Sequence, residues 1–514
     1  MKRSLYLRLV CMVIAALMLL CTFVACADPG DEQPDDGAET TPAAGNTDNP
    51  SGDNSGDQTT ETTPSDVDEN GLKLDDIPAD LKYTDKTITM LTWADVEHEE
   101  FQVEEQTGDN IADAIFYRNL TVEERLGINM EFVSTDGDAG NVAPWTNYIQ
   151  TSVQAGGGEF DVIAGYSLSQ ASAASKGLLY DLMDPGCEYL NFDMPWWPNN
   201  LIEEATINDK LYFASGDISA NALYMMYVVF VNTKILNDMG LDNVYGLVDD
   251  NKWTYDKFIE MCTNVYIDQD GSGDKSVGDR FGYMTSGIHT DPWFYGSGAL
   301  MVDKDNEGNL KFSDTFASER TISALEKVNN LLWNTNDGIY TSDVKHQAEF
   351  NNGNLLFASD RCRISITKFL SEDLEYSVVP FPKFDSEQEN FVTVMGNPFT
   401  LYALPIDSKE DELPMLSAFL EVYASESYRQ VTPQLFEVSL KVKYTQDNDA
   451  ARMYDLIRES LCFDLGRIFS DALIKQSAWR NAVKGNMNNW ASSAKQYKKV
   501  MDTKLKTLIQ AYEG

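Results

Sequence analysis

Residues 86–93 read KTITMLTW, an apolar and β-branched run that predicts a buried strand. A helical pattern over 110–126 and a second strand over 128–133 follow it, and then a helix over 145–155 and a third strand over 160–164. Strands that alternate with helices are typical of parallel α/β construction, in which right-handed crossovers place ligand sites at the carboxyl ends of strands. The sequence therefore predicts an α/β fold class.

Two aromatic residues follow from this topology. Trp93 closes the first predicted strand, and Tyr166 comes directly after the third. Because the carboxyl ends of parallel strands lie along one edge of a sheet, both rings are predicted to lie at the ligand-binding edge.

The charge of the chain limits its partners. Over 514 residues, 39 Lys and Arg stand against 82 Asp and Glu, which gives a formal net charge of −43. Nucleic acids are bound by neutralising their phosphates, so a surface this acidic excludes DNA and RNA as partners. The hydrophobic fraction of 43% is enough for a sizeable core, and the length predicts more than one folding unit.

The first residues of the chain resemble a bacterial lipoprotein leader. Residues 9–25 are uncharged and mostly apolar behind a basic start, which is typical of a secretory signal. An uncleaved anchor helix is the alternative, although the run is short for a membrane span. The run ends in a small residue followed by Cys26, as in the lipobox at which prolipoproteins are cut and acylated. Residues 1–25 are therefore predicted to be a signal peptide, and Cys26 the lipidated residue.

An acidic segment follows the lipobox. Thirteen acidic residues, no basic residue and almost no large apolar residue lie between positions 27 and 70. Such a segment cannot bury enough apolar area to offset its ordering entropy. Residues 26–79 are predicted to be the lipidated cysteine and a disordered linker, which holds the body outside the cytoplasm at the outer face of the cell membrane.

Histidine-based catalysis has no support in the sequence. His98, His289 and His346 are scattered, and the chain lacks HExxH, GxSxG, GxxxxGK[ST] and GxGxxG motifs. Carboxylate pairs for glycoside hydrolysis are numerous among the 82 acids, and only their separation in space is diagnostic. No catalytic residue and no required cofactor is predicted.

A tryptophan pair lies in the stretch Met-Pro-Trp-Trp-Pro over 194–198. Its prolines exclude an ordinary helix or strand. Trp196 and Trp197 on a rigid loop could stack on sugar rings while their N–H groups bind hydroxyls. The alternative is that both indoles fill the interior of their lobe.

The loop over 268–279 has the ligand spacing of an EF-hand calcium loop, with a glycine at its sixth position. Its twelfth residue is Asp in place of the bidentate Glu, which predicts low affinity. A structural calcium ion is one interpretation and an acidic turn is the other. The candidate ligands are Asp268, Asp270, Ser272, Asp274 and Asp279.

A set of short motifs, taken in order along the chain, resembles the family 1 extracellular solute-binding proteins, the receptor subunits of ABC importers. The motifs are FDVIAG (160–165), KLYFA with GD (210–217), VFVNTK (229–234), WT (253–254), FNNG (350–353) and VPFP (379–382). The resemblance spans about residues 80–514. It implies a two-lobed, maltose-binding-protein-like fold of type II, with the ligand in an interlobe cleft.

The same resemblance implies how the chain divides. Segments 224–232 and 392–404 would cross between the lobes. Lobe 1 would take residues 80–225 and 397–445. Lobe 2 would take residues 230–392 and 446–514.

Further site residues are implied by the resemblance. Trp293 and Tyr295 lie in the stretch that supplies aromatic walls to sugar-binding clefts. Arg361 falls near the cleft, where a planar guanidinium could hold hydroxyls, a carboxylate or a phosphate, or form an interlobe salt bridge. Asp217 could accept hydrogen bonds from sugar hydroxyls or pin the hinge. The complete predicted ligand-binding set is Trp93, Tyr166, Trp196, Trp197, Asp217, Trp293, Tyr295 and Arg361.

The function implied is that of a monomeric, lipid-anchored substrate-binding protein, not an enzyme. It would capture a small solute, a saccharide, and deliver it to the permease subunits of an ABC importer. Two alternatives stay open: a secreted carbohydrate-active enzyme, and a surface adhesion or regulatory lipoprotein that kept the fold.

Overall fold

The computed structural model describes residues 66–436, 448–474 and 477–513, all of which belong to one compact unit, Ser65–Gly514. The predicted signal peptide, the lipidation site Cys26 and the linker up to residue 65 lie outside the described residues. Within the described part, no helix is both long enough and apolar enough to span a membrane.

The strands form two main sheets and two small ones. In chain order they are β1 Lys86–Trp93, β2 Ile128–Thr135, β3 Val162–Tyr166, β4 Tyr227–Asn232, β5 Phe281–Thr285, β6 Val302–Lys304, β7 Leu310–Phe312, β8 Gly338–Tyr340, β9 Leu355–Arg361, β10 Tyr376–Val379, β11 Thr393–Val394, β12 Thr400–Ala403 and β13 Leu461–Cys462.

The first sheet has the order β12-β3-β1-β2. Strand β1 pairs in parallel with both β2 and β3, whereas β12 returns antiparallel to β3. The three strands predicted first along the sequence therefore form a parallel core, as their alternation with helices indicated. We call the part of the protein built on this sheet lobe 1.

The second sheet has the order β10-β4-β9-β5-β8. Strand β4 is antiparallel to β10 and β9, and β5 is parallel to β9 and β8. All six residues of β4 are buried, which agrees with the long apolar run from which this strand was predicted. We call the part built on this sheet lobe 2.

Helices cover both sheets. The α-helices are Asn110–Leu126, Val142–Gln154, Ser167–Ser175, Asn199–Ala205, Ala220–Tyr224, Thr233–Asp238, Val244–Asp249, Tyr255–Cys262, Asp291–Tyr295, Glu319–Asn329, His346–Asn351, Ile364–Thr367, Leu413–Glu426, Asn448–Glu459, Leu465–Ile468, Ser477–Lys484 and Trp490–Glu513. Short 3₁₀ or π turns lie at Ala94–Val96, Glu97–Phe101, Gly287–Thr290, Asp314–Ala317, Asn330–Asn334 and Ser427–Val431.

The first helix shows how local sequence sets its bounds. Its cap is Asp109, whose carboxylate accepts hydrogen bonds from the backbone N–H groups of Ile111 and Ala112. It ends at Gly127, where φ is 66°, a left-handed conformation that glycine adopts at little cost. Ile115 and Val122 on its inner face are fully buried.

Two chain segments run side by side between the sheets. Met226 and Met395 form an isolated antiparallel bridge, and the backbone N–H of Gly396 donates to the carbonyl of Met225 at 2.8 Å. One segment leads into β4 of lobe 2, and the other leads into β12 of lobe 1. The lobe boundaries themselves stay a prediction.

The last helix, Trp490–Glu513, touches both lobes. At its start, Trp490 stacks on Phe316 of lobe 2 with ring centroids 4.9 Å apart. At its end, Tyr512 packs on Tyr212 of lobe 1 with centroids 4.6 Å apart.

The predicted linker extends too far towards the body. Asp75 is buried and accepts two hydrogen bonds of 2.7 Å from the guanidinium of Arg125, and Ile77 packs into the core. The disorder predicted for residues 66–79 is therefore wrong. The acidic composition of the segment does not indicate that one of its carboxylates, that of Asp75, is buried and paired with Arg125.

Candidate functional site

The aromatic pair predicted at the strand ends is brought together at one edge of the lobe 1 sheet. The ring centroids of Trp93 and Tyr166 lie 5.4 Å apart. The indole N–H of Trp93 donates to Thr400 Oγ1 at 3.0 Å, which ties the end of β1 to the start of β12. Both rings are almost fully buried, at 2% and 4% exposure. They pack at the carboxyl edge of the lobe 1 sheet, where the topology placed them.

Arg361 ends β9 of lobe 2 and lies beside both crossing segments. Its Nε donates to Asp360 Oδ1 at 3.3 Å, and its Nη1 lies 3.9 Å from the sulfur of Met225. A Cβ at position 396 would come within 2.8 Å of the Arg361 Cδ, so the glycine there makes room for the arginine stem. The side chain keeps 20% of its surface exposed.

Two further arginines converge on Asp291. Arg467 Nη1 donates to Asp291 Oδ2 at 2.7 Å, while Arg480 donates through Nε to Oδ1 at 2.8 Å and through Nη2 to Oδ2 at 2.6 Å. Burial alone would raise the pKa of Asp291, but the charges of Arg480 and Arg467 bring it below its ordinary value. The carboxylate is therefore ionised at neutral pH.

Arg467 lies close to Tyr166, because the helix Leu465–Ile468 that carries it contacts the helix Ser167–Ser175 that begins directly after Tyr166. Burial raises the pKa of Tyr166 to about 12, against the opposing effect of the nearby positive charges of Arg467, Arg480 and Arg361. We call Arg361, Arg467 and Arg480 the interlobe arginine group. The phenol of Tyr166 stays protonated beside it and can donate a hydrogen bond.

Asp360 is the centre of a buried polar cluster behind Arg361. It lies 2.9 Å from His346 Nε2 and 3.3 Å from His289 Nδ1, and it accepts from Gln347 Nε2 at 2.7 Å. Burial would raise the pKa of Asp360, but the two imidazoles hold it well below its usual range. His289 and His346 are far apart in the sequence, and the fold brings both of them to Asp360.

The loop with the Trp-Trp pair turns its indoles inward. Trp196 Nε1 donates to Glu421 Oε1 at 3.2 Å, and Trp197 Nε1 donates to Glu421 Oε2 at 3.0 Å. Both rings are buried in lobe 1, and burial raises the pKa of Glu421 to about 8. The buried rings and the bonded N–H groups favour the alternative prediction, that both indoles fill the interior of their lobe.

Trp293 and Tyr295 are also core residues. Trp293 Nε1 donates to the hydroxyl of Tyr283 at 3.2 Å, and its ring packs against Tyr255 with centroids 4.7 Å apart. The hydroxyl of Tyr295 donates to Asp464 at 3.1 Å. Both side chains are fully buried and pack within lobe 2, which does not favour the predicted aromatic wall.

Asp217 holds two parts of the chain together. It accepts a hydrogen bond of 3.0 Å from Thr432 Oγ1 and forms an ion pair with Arg458. Burial raises the pKa of Asp217, against the effect of the Arg458 charge. Of its two predicted roles, these contacts favour the structural one.

The calcium-type loop brings three of its five candidates together. Carboxylate oxygens of Asp268, Asp270 and Asp279 lie within 4.8 Å of one another. Ser272 instead donates to the carbonyl of Asp274 at 3.1 Å. Calcium binding stays a prediction.

The comparisons with known proteins cover most of the described body. A sequence profile of the family described as bacterial extracellular solute-binding protein matches residues 116–430. No curated protein sequence matches the chain.

Solved structures match almost along their full lengths. An ABC substrate-binding protein of Listeria monocytogenes in complex with cycloalternan is 12% identical, with 84% of this chain and 99% of that chain covered and a TM-score of 0.50. UgpB of Mycobacterium tuberculosis in complex with glycerophosphocholine is 14% identical, with 81% and 98% covered and a TM-score of 0.56. The maltose-maltodextrin binding protein of Alicyclobacillus acidocaldarius is 14% identical, with 81% and 100% covered and a TM-score of 0.51. These matches confirm the predicted two-lobed α/β fold.

Proposed function

Because the chain belongs to the bacterial extracellular solute-binding protein family, we propose that it binds a saccharide between its lobes and delivers it unchanged to an ABC permease. The observation that carries this proposal is the position of Trp93 and Tyr166, which are in contact at the carboxyl edge of the lobe 1 sheet and lie close to the helix Leu465–Ile468 that carries Arg467. Aromatic faces and convergent hydrogen-bond donors are the groups that bind sugars.

The ligands of the similar structures support a polyhydroxylated solute. Cycloalternan is a cyclic saccharide, and glycerophosphocholine carries a glycerol unit. The lobes of this chain would close on such a solute by rotating about the paired segments at Met225 and Gly396.

Two carboxylates beside the interlobe arginine group, Asp291 and Asp360, do not favour the alternative of a glycoside hydrolase. Such an enzyme needs one carboxylic acid that is protonated near neutral pH. Asp291 and Asp360 both have a lowered pKa and are bonded to arginine or histidine, so neither is suited to donate a proton.

Membrane attachment forms part of the proposal. Acylation of Cys26 would keep the body at the outer face of the cell membrane, close to the permease. Replacement of Cys26 by Ser should release the protein from the membrane fraction into the medium, as measured by immunoblotting of the two fractions. Retention of the variant in the membrane would contradict the anchor.

Saccharide binding can be tested with purified residues 66–514, which begin at the described body. A thermal-shift screen over mono- and oligosaccharides should find a ligand that raises the melting temperature, and chromatography should recover this ligand unchanged. Trp93→Phe should weaken the best hit, whereas Trp333→Phe, which alters a partly exposed indole on lobe 2, should not. Conversion of the ligand to product would favour the enzyme.

A further inference from the structure

Arg361 is largely buried, yet part of its guanidinium has no protein hydrogen-bond partner among the described residues. Among the described residues, its only hydrogen bond to a carboxylate is the 3.3 Å contact from Nε to Asp360 Oδ1. Its Nη1 reaches no oxygen and lies near the sulfur of Met225, and its Nη2 has no protein partner in the described part of the chain. The outer edge of the guanidinium therefore keeps donors that can form a bidentate contact.

The two crossing segments contact the side chain of Arg361. Met225 comes from one segment and Gly396 from the other, and the absence of a side chain at 396 lets the arginine stem pass. The alternative interlobe salt bridge is not what the described contacts show, because the carboxylate partner of Arg361 is its own neighbour on β9. The guanidinium is thus held beside the two segments that join the lobes.

The local charge balance differs from that of the whole chain, because positive charges are concentrated here. Arg361, Arg467 and Arg480 supply three positive charges, against the negative charges of Asp291 and Asp360. From lobe 1, Asp138 also acts on Tyr166, so three negative charges stand against the three positive ones. The chain as a whole has a formal charge of −43, so a group of arginines here is not a general property of its surface.

Holding these arginines together has a cost. The charges of Arg361 and Arg467 repel each other, and both side chains are largely removed from water. An anion bound at the outer edge of Arg361 would offset this repulsion. The hydroxyl of Tyr166, which stays protonated at neutral pH, could donate a further hydrogen bond to it.

We propose that the solute carries an anionic group, a carboxylate or a phosphate, which the guanidinium of Arg361 binds between the lobes. This inference rests on the proposed function and narrows it from saccharides in general to acidic ones. Arg467 and Arg480 add positive charge nearby, while Asp291 fixes their positions and offsets one of the two charges. Trp93 and Tyr166 remain the aromatic side of the same site.

Three probes of similar size distinguish the possibilities by isothermal titration calorimetry. They are maltotriose, which is neutral, trigalacturonate, which carries carboxylates, and maltose 1-phosphate, which carries a phosphate. We expect one of the two anionic probes to bind at least tenfold more tightly than maltotriose. Which of them binds identifies the anion as a carboxylate or a phosphate.

Variants of Arg361 connect the affinity to this residue. Arg361→Gln should weaken the anionic probe by about 10- to 100-fold, the range of a hydrogen bond to a charged group. Arg361→Lys keeps the charge but loses the planar fork, so it should recover only part of the affinity. Arg320→Gln is the matched control, because it removes the same charge from lobe 2 at a pair with Asp385 and should leave the affinity unchanged.

The outcomes separate this inference from the proposed function. If maltotriose binds as tightly as the anionic probes and Arg361→Gln does not weaken it, the inference is overturned while saccharide binding stands. An equal loss of anion affinity in Arg361→Gln and Arg320→Gln would also overturn it, because bulk charge would be the cause. If none of the three probes binds, the proposed function fails together with the inference.

Discussion

Replacement of Asp291 by Asn should be among the most destabilising single changes in the body. The carboxylate is fully buried and accepts three hydrogen bonds of 2.6–2.8 Å from Arg467 and Arg480. The variant keeps the shape of the side chain but loses its charge. One amide oxygen and one amide NH₂ would then face two guanidinium groups, and the NH₂ would oppose their donors.

The size of the stability loss expected for Asp291→Asn follows from the burial of the two arginines. Removing one partner of a buried ion pair costs about 3–5 kcal/mol, because the remaining charge is left uncompensated. Arg467 is only 7% exposed and meets this condition, whereas Arg480 is 26% exposed and is partly screened by water. We therefore expect a loss of about 3–4 kcal/mol from the free energy of unfolding, a large part of the usual 5–15 kcal/mol.

The assay is urea unfolding at pH 7, followed by tryptophan fluorescence, with Asp385→Asn as the control. Asp385 pairs with Arg320, and both are 34% exposed, so its loss should cost less than about 1 kcal/mol. A cost for Asp291→Asn no greater than that of the control would refute the electrostatic argument. The pKa of Asp291 is lowered by folding, so the wild-type advantage should be complete above pH 4 or so and shrink as the pH falls towards the folded pKa.

Three further predictions concern other sites. Gly396→Ala would place a methyl group 2.8 Å from the Arg361 Cδ. Calorimetry should show at least tenfold weaker solute binding, with little change in the melting temperature. Unchanged affinity would contradict the role proposed for Gly396 in making room for Arg361. Burial raises the pKa of Glu421 to about 8, well above its unfolded value, so the wild type should lose stability as the pH rises from 5 to 8. Urea midpoints should show a flatter pH profile for Glu421→Gln, and an identical profile would exclude this group as the cause. Calcium should raise the melting temperature of EDTA-treated wild type but not of Asp268→Ala; no effect on either would favour the acidic turn.

Topology allowed part of the site to be predicted from sequence. The alternation of strands and helices fixed which strand ends share an edge, and Trp93 and Tyr166 lie there in contact. The prolines around Trp196 and Trp197 correctly excluded regular structure, but they constrain the backbone and not the direction of the indoles. Both indoles point to Glu421, a partner more than 220 positions away, and no local pattern indicates such a contact.

The arginines paired with Asp291 escaped prediction for a related reason. Arg467 and Arg480 lie 176 and 189 positions after Asp291. Each arginine alone is an ordinary cation in a long acidic chain. The sequence does show that basic residues are scarce, with 39 against 82 acidic residues. Each basic residue in the predicted lobe 2 is therefore a candidate ion-pair partner for an acidic residue near the cleft.

The last helix also restricts how the lobes can turn. With 24 residues and a rise of about 1.5 Å per residue, it is a rod of roughly 36 Å. Trp490 secures one end of this rod to lobe 2, and Tyr512 rests on Tyr212 of lobe 1 at the other. At such a lever arm, a rotation of a few degrees about Trp490 already displaces Tyr512 by an ångström or more. Rotation of the lobes about Met225 and Gly396 therefore separates the two tyrosine rings, unless its axis also passes close to them.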